Sequence, residues 1–348
     1  MELSASKTPR IEVVDALRGF AVMAIILVHN LEHFIFPVYP TEQPAWLAVL
    51  NDGVFNIIFS LFAGKAYAIF ALLFGFTFYI QCHNQEKKGK DFGYRFLWRL
   101  VLLLGFATLN AAFFPAGDVL LLFAVVGLVL FLVRKWNDKA ILITAIILLI
   151  QPIEWYHYIM SLFNPTHTLP NLGVGVFLLG FYIGRKELFV TTESHLRFWV
   201  KVLIIAAICF APLYSLKEQI MAGDNVLIKQ TVGTAFDMWQ KFAFTFVLVS
   251  SFVILYQKEY FRKAVSALRF YGKMSLTNYI AQSIMGAIIY FPFGLYLAPY
   301  CGYTISLLIG FVLFLLQVSF CKWWLTNHKQ GPLESIWHKW TWMFSNNK

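Results

Sequence analysis

The chain has 348 residues, of which 59% are hydrophobic, 18% aromatic and only 13% charged, where a soluble domain carries about 25% charged residues. An ordinary soluble globular protein is thereby excluded. The formal charge of +10 would suggest nucleic acid, but the basic residues flank apolar runs instead of forming one basic surface, which removes that partner.

Those runs number about ten, each of roughly 18–25 residues, enough to cross a hydrocarbon layer about 30 Å thick as a helix. In chain order the predicted spans lie at 13–36, 54–80, 96–114, 117–134, 140–161, 169–185, 198–216, 236–257, 274–297 and 303–324. A helix satisfies its backbone hydrogen bonds internally, whereas a membrane barrel shows shorter segments of alternating polarity. The predicted fold is therefore all-α: a polytopic membrane helix bundle, a single integral-membrane domain over 1–348 with an interfacial tail at 325–348. Of the 28 lysines and arginines, 23 fall in one alternating set of connecting segments, so both termini are expected on the cytoplasmic side. The tail fits that side, with five tryptophans from Trp323 to Trp342 standing beside lysines. No small-residue cleavage site follows the first apolar run, which reads as an anchor. Four scattered cysteines imply neither a disulfide framework nor a CxxC site. The longest outer connection, about 217–236, is expected to be a loop able to cover an outer cavity.

An ionisable group inside a span costs at least about 2.5–3.5 kcal/mol, so each needs a partner, a wet cavity or a chemical task. The first span holds five: Asp15 and Arg18 at its inner end, and His29, Glu32 and His33 at its outer end. Asp15 and Arg18 are three residues apart and can pair at the interface. His29, Glu32 and His33 share a helical face beside Asn30. There a carboxylate can orient an imidazole that titrates near neutrality, as a general base requires, or the histidines can simply cap the helix end. The string also fits the HxxEH zinc pattern, but no later residues offer a third ligand at recognisable spacing, and no metal is expected.

Lys65 lies about eleven residues into the second predicted span, too deep to reach either surface easily. It either meets a substrate anion or neutralises a carboxylate, for which Asp118 is the candidate. Among the inner basic residues, Arg95 and Arg99 stand one turn apart, a spacing that can grip phosphates. Most of the other inner charges serve topology and contact with anionic lipid. Asn278 and Gln282 share a face of the ninth span and suit hydrogen bonding between helices. Gly180 and Gly184 suit close helix packing.

Several stretches resemble the YeiB-like integral-membrane family of unknown function, domain-of-unknown-function family 418, over about residues 10–342. They are Asp15-Ala16-Leu17-Arg18-Gly19, Gly64-Lys65 with Leu73-Phe74-Gly75-Phe76, Gly117-Asp118, Gly272-Lys273-Met274-Ser275-Leu276-Thr277-Asn278-Tyr279 with Gln282-Ser283, and Gly331-Pro332-Leu333-Glu334. The first span, with Arg18-Gly19 followed by His29, is also similar to that of acyltransferase-3 type enzymes. Many YeiB-like relatives carry asparagine where this chain has His29. The resemblance implies a place in the transmembrane acyltransferase superfamily, whose members move an acyl group, often acetyl, from cytoplasmic acyl-CoA to an extracytoplasmic acceptor such as a glycan hydroxyl or amine. It implies residence in a bacterial inner membrane, with the lipid bilayer, acyl-CoA and the acceptor as partners, and it is compatible with a homo-oligomer. On this reading Arg18, Arg95 and Arg99 meet the CoA phosphates, His29 is the base with Glu32 orienting it, and Asn30 or Lys65 stabilises the oxyanion. The alternative is a transporter or flippase with a charge path through Lys65, Asp118 and His29, although no inverted repeat is visible.

Overall fold

The computed structural model describes residues 11–32, 34, 40, 44–89, 92–113, 119–161, 173–190 and 192–342. All regular structure among the described residues is helical. In chain order the helices are α1 (Glu12–Glu32), α2 (Ala45–Phe62), α3 (Lys65–Glu86), α4 (Gly93–Phe113), α5 (Val119–Val133), α6 (Asp138–Leu149), α7 (Pro152–Ser161) and α8 (Val174–Arg185). There follow α9 (Glu193–Ala222), α10 (Val226–Ile228), α11 (Thr234–Leu255), α12 (Glu259–Ala264), α13 (Ser266–Lys273), α14 (Ser275–Tyr290), α15 (Tyr303–Asn327) and α16 (Pro332–Trp342).

α1 is the axis of the molecule. Fifteen of its 21 residues are buried, because it is wrapped by α2, α3, α11, α13, α14 and α15. A helix apolar on every side belongs inside a bundle. Its approach to α13 depends on two glycines: a Cβ on Gly19 would lie 2.0 Å from the Leu268 carbonyl oxygen, and one on Gly272 would lie 1.9 Å from that of Asp15. The second close crossing, between α3 and α8, follows the same rule. There a Cβ on Gly75 would meet the Phe177 carbonyl oxygen, and one on Gly180 that of Leu72, each at 2.0 Å. Small residues at such points let backbones meet where no hydrophobic drive separates helix from lipid.

The outside of the bundle is apolar. Only Trp199 and Ala206 of the 30-residue α9 are buried, while Ile204, Ile205 and Ile208 are exposed, as a lipid-facing surface requires. Among the described residues, five helical segments are long and apolar enough to cross a membrane: 45–86 (α2 with α3), α4, α9, 226–255 and α15. They become six when α6 and α7, bent by 44° at their junction, count as one span.

All ten predicted segments contain helix, but two of them and one predicted connection differ in form. The segment 54–80 is not continuous: α2 begins at Ala45, and the chain breaks at Ala63-Gly64, where Gly64 adopts φ +75°. The segment 140–161 bends at Gln151, which also has positive φ. The connection 217–236 is not a loop, because α9 runs on to Ala222 and α10 and a π-helical turn, Lys229–Gly233, lead into α11.

Candidate functional site

Two cavities lie along α1. The inner one, about 210 Å³, is lined by Arg18, Thr77, Gln81, Arg99, Lys273 and Glu334 among apolar and aromatic neighbours. The outer one, about 220 Å³, is lined by His29, Glu32, Gly64 and Tyr67 with Phe62 and Val119 among others. Four residues, Phe70, Leu120, Phe123 and Tyr279, belong to both walls. The cavities therefore abut, with the Phe123 and Phe70 rings packed edge to face at 5.4 Å between centroids. Arg18 and His29 are eleven residues apart on one helix, about 16 Å along its axis, so α1 presents a cation to one chamber and an imidazole to the other.

The inner chamber collects basic groups from three elements. Arg18 reaches Asp15 at 3.3 Å and donates to Thr77 Oγ1 at 2.8 Å, so the pairing open to it in the sequence forms while its guanidinium also faces the cavity. Arg99 comes from α4, its guanidinium 4.3 Å over the Trp337 ring, and its carbonyl accepts from Trp337 Nε1 at 3.2 Å. Lys273 ends α13. α16 closes one side of this chamber with Glu334 and Trp337. Its Glu334 sits at the start of α14, accepting from the Leu276 and Thr277 backbone N–H groups at 2.8 and 3.1 Å and from Thr277 Oγ1 at 2.5 Å. Carboxylates stabilise helix N-termini in this way. Burial pushes the Glu334 carboxyl up from its ordinary value, against the lowering effect of these hydrogen bonds. His338, one turn further on, is pushed down by burial and by the Arg99 charge.

In the outer chamber His29 is buried and Glu32 is half-buried, one turn apart on the cavity face. The Tyr279 ring lies edge to face with the His29 ring, centroids 6.0 Å apart. The Tyr67 hydroxyl, on the same wall, has no hydrogen-bond partner among the described residues.

The other candidates are dispersed. Asn30 points away from this chamber: its amide donates to the Ile26 carbonyl at 2.8 Å and accepts from Tyr290 Oη at 2.9 Å. Lys65 opens α3 after the break, so it is not in mid-helix. It does not line the chamber, although its neighbours Gly64 and Ala66 do, and its Nζ donates to the Ser60 carbonyl at 2.8 Å. Arg95 contacts Gln85 at 3.3 Å and leaves the inner cavity to Arg99. Asn278 is built into helix packing, bonded to the Tyr271 carbonyl, Cys321 and, through its own carbonyl, Gln317. Gln282 is buried, and its amide makes no hydrogen bond among the described residues. His33 and Asp118 lie outside the described residues. Among the described residues, no three His, Cys, Asp or Glu side chains gather where they could hold a metal ion.

Lys273, Tyr279, Glu334 and Trp337 went unassigned in the sequence reading. The first three lie inside recognised motifs, but a motif does not say which way a side chain points. Trp337 looked like one more interfacial tryptophan.

An all-helical bundle of membrane-crossing length, with two largely apolar chambers end to end along a buried axial helix, each holding a few ionisable side chains, defines the class. Residues 183–344, just under half of the chain, match the family described as "Protein of unknown function (DUF418)". This region supplies Lys273, Tyr279, Glu334 and Trp337, while Arg18 and His29 come from the part before it. Over nearly the whole length the chain is similar to "Uncharacterized protein YxaH" of Bacillus subtilis (strain 168), 26% identical over 96% of this chain and 94% of the relative. It is also similar to "Uncharacterized 39.9 kDa protein in amylase 3'region" of Bacillus acidopullulyticus, 27% identical over 95% and 94%.

Proposed function

We propose that this protein transfers an acyl group from cytoplasmic acyl-CoA to an acceptor hydroxyl or amine presented from the other side of a bacterial inner membrane. In this reading the ten predicted segments each cross the membrane, some as short or broken helices, and both termini are cytoplasmic. The single observation that supports it is the pair of abutting chambers, one basic and one carrying His29 with Glu32, divided only by Phe70, Leu120, Phe123 and Tyr279.

The donor fits the inner chamber by chemistry and size. Three cations, Arg18, Arg99 and Lys273, face one carboxylate, Glu334, a balance suited to a polyanion. A volume of about 210 Å³ equals about seven waters at about 30 Å³ each. That admits a slender pantetheine arm, while the nucleotide stays at the mouth beside α16. The thioester then reaches the dividing wall. His29 removes the proton from the acceptor O–H or N–H, and the acceptor atom attacks the thioester carbonyl. Tyr279, at that wall beside His29, is placed to donate to the oxyanion, a role that Asn30 and Lys65 do not face the chamber to play. The C–S bond breaks, the acyl C–O or C–N bond remains, and the proton held by His29 passes to the departing CoA thiolate.

The test is release of free CoA, and acylation of a cell-envelope fraction, by purified protein reconstituted with acetyl-CoA on the cytoplasmic side. His29→Ala should reduce both by about 10²–10⁴-fold, the range for losing a general base, with acyl-CoA affinity unchanged. The same two chambers suit a transporter, so substrate flux without CoA release would replace this reading with that one.

A further inference from the structure

Lys65 has no place in the transfer chemistry, yet it is 3% exposed at the level of the outer chamber. Its Nζ bonds to one backbone carbonyl, that of Ser60, and stands 5.9 Å from the Phe244 ring centroid. Among the described residues no carboxylate reaches it. The charges that act on it are Lys241, Lys217 and Asp237, two positive and one negative. That one carboxylate is already held by Lys241 at 2.5 Å, and Lys217 is held by Glu218 at 2.7 Å. An ammonium buried this deeply, bonded to one backbone carbonyl, is costly unless an anion completes it.

The placement of these lysines adds a second observation. Only Lys217, Lys229 and Lys241 fall in the sparsely charged outer set of segments, where positive residues are disfavoured. Of the three, Lys241 on α11 reaches the α2–α3 break beside Lys65, and Lys217 lies on α9, which packs against α11. The Lys241 methylenes fill the space left by the missing Cβ of Gly64, with Cδ 2.9 Å from where that carbon would stand. Gly64 is also a wall of the outer chamber, so the lysine cluster and the chamber share the α2–α3 break.

We propose that Lys65, with Lys241 and Lys217, forms an anion subsite for a phosphate group carried by the molecule that enters the outer chamber. This rests on the acyl-transfer reading for its purpose, which is to hold the acceptor by its phosphate while its hydroxyl or amine faces His29. It does not rest on that reading for its existence. The phosphate belongs either to a soluble envelope component or to a lipid headgroup.

The experiment measures the melting temperature of the purified protein as inorganic phosphate is titrated in zwitterionic nanodiscs, and again in nanodiscs containing phosphatidylglycerol. Wild type should be stabilised by phosphate if the source is soluble, or by phosphatidylglycerol if it is a headgroup. Either result supports the subsite. Lys65→Met should melt higher than wild type without anion, because a buried charge is removed, and should lose the anion-induced shift. Lys241→Gln should weaken the apparent anion affinity about tenfold, the effect of about 1.4 kcal/mol, and Lys229→Gln should leave it unchanged. No shift from either anion in wild type overturns the proposal. So does a phosphate response that appears only in Asp118→Asn, since the chain's own carboxylate would then neutralise Lys65. An anion shift without CoA release would leave the subsite standing and remove the acyl-transfer reading. CoA release with no anion shift would do the reverse.

Discussion

At the scale of single residues, the site depends on the spacing of α1 and on what its neighbours contribute. That Arg18 and His29 stand near opposite ends of α1 was legible, because helical rise alone separates them by about half a membrane. Asn30 was not assignable, since which neighbour of a histidine turns inward depends on the partner helix, and here Tyr290 and Ile26 take both ends of its amide. Arg95 and Arg99 share a face in sequence, yet Gln85 draws one aside and Trp337 holds the other over the cavity. Arg99→Met should therefore weaken acyl-CoA binding by about tenfold or more, the scale of a charged hydrogen bond lost, measured by equilibrium dialysis in detergent. Arg95→Met should change it less than threefold.

At the scale of elements, the helices were readable from apolar runs, but their breaks were not. A break such as Ala63-Gly64 leaves no trace in hydropathy, because both flanks stay apolar and only a positive φ at one glycine marks it. The crossings were more visible, since glycines in Arg18-Gly19 and Gly272-Lys273 signal close approach once both motifs are noticed. Gly19→Ala should destabilise by at least about 3 kcal/mol, the upper range for overpacking, because its methyl would sit 2.0 Å from a backbone oxygen that belongs to another helix. Thermal melting followed by size-exclusion elution would measure it.

The tail at 325–348 was expected to lie at the interface, and Glu334 and Trp337 of its helical part line the inner chamber. Its docking should respond to pH through His338. A histidine pushed below its ordinary value near 6.5 favours the docked state when neutral, so docking is retained above that value and weakens as pH falls through it. Glu334, pushed up by burial, acts in the opposite sense, since its protonation favours docking. In a Glu334→Gln background, which keeps an acceptor for the α14 N–H groups, the protection of α16 amides against hydrogen exchange, corrected for the intrinsic pH dependence of exchange, should therefore fall between pH 7.5 and 5.5. Adding His338→Gln should flatten that response.

At the scale of the whole molecule, the informative charges are those that stayed inside a chain arranged to keep charges out. Most basic residues fall in one alternating set of connecting segments, and the arithmetic that placed them there needed no structure. What sequence could not supply is the convergence of α1, α2, α3, α4, α5, α13, α14 and α16 on two adjoining chambers, because the lining residues are scattered over these helices and share no common motif. The dividing wall makes a prediction at this scale. Leu120→Trp should fill the passage, keeping acyl-CoA affinity within about twofold while transfer falls by at least about 10²-fold, the rate counterpart of misplacing reacting atoms by an ångström or so. The most direct measurement is a cryo-EM structure with a non-cleavable thioether analogue of acetyl-CoA. The account predicts phosphates against Arg18, Arg99 and Lys273, with the pantetheine arm ending at Phe70, Leu120, Phe123 and Tyr279 and the acyl carbon facing His29. An analogue bound elsewhere, or an inner chamber left without it at saturating concentration, would contradict it.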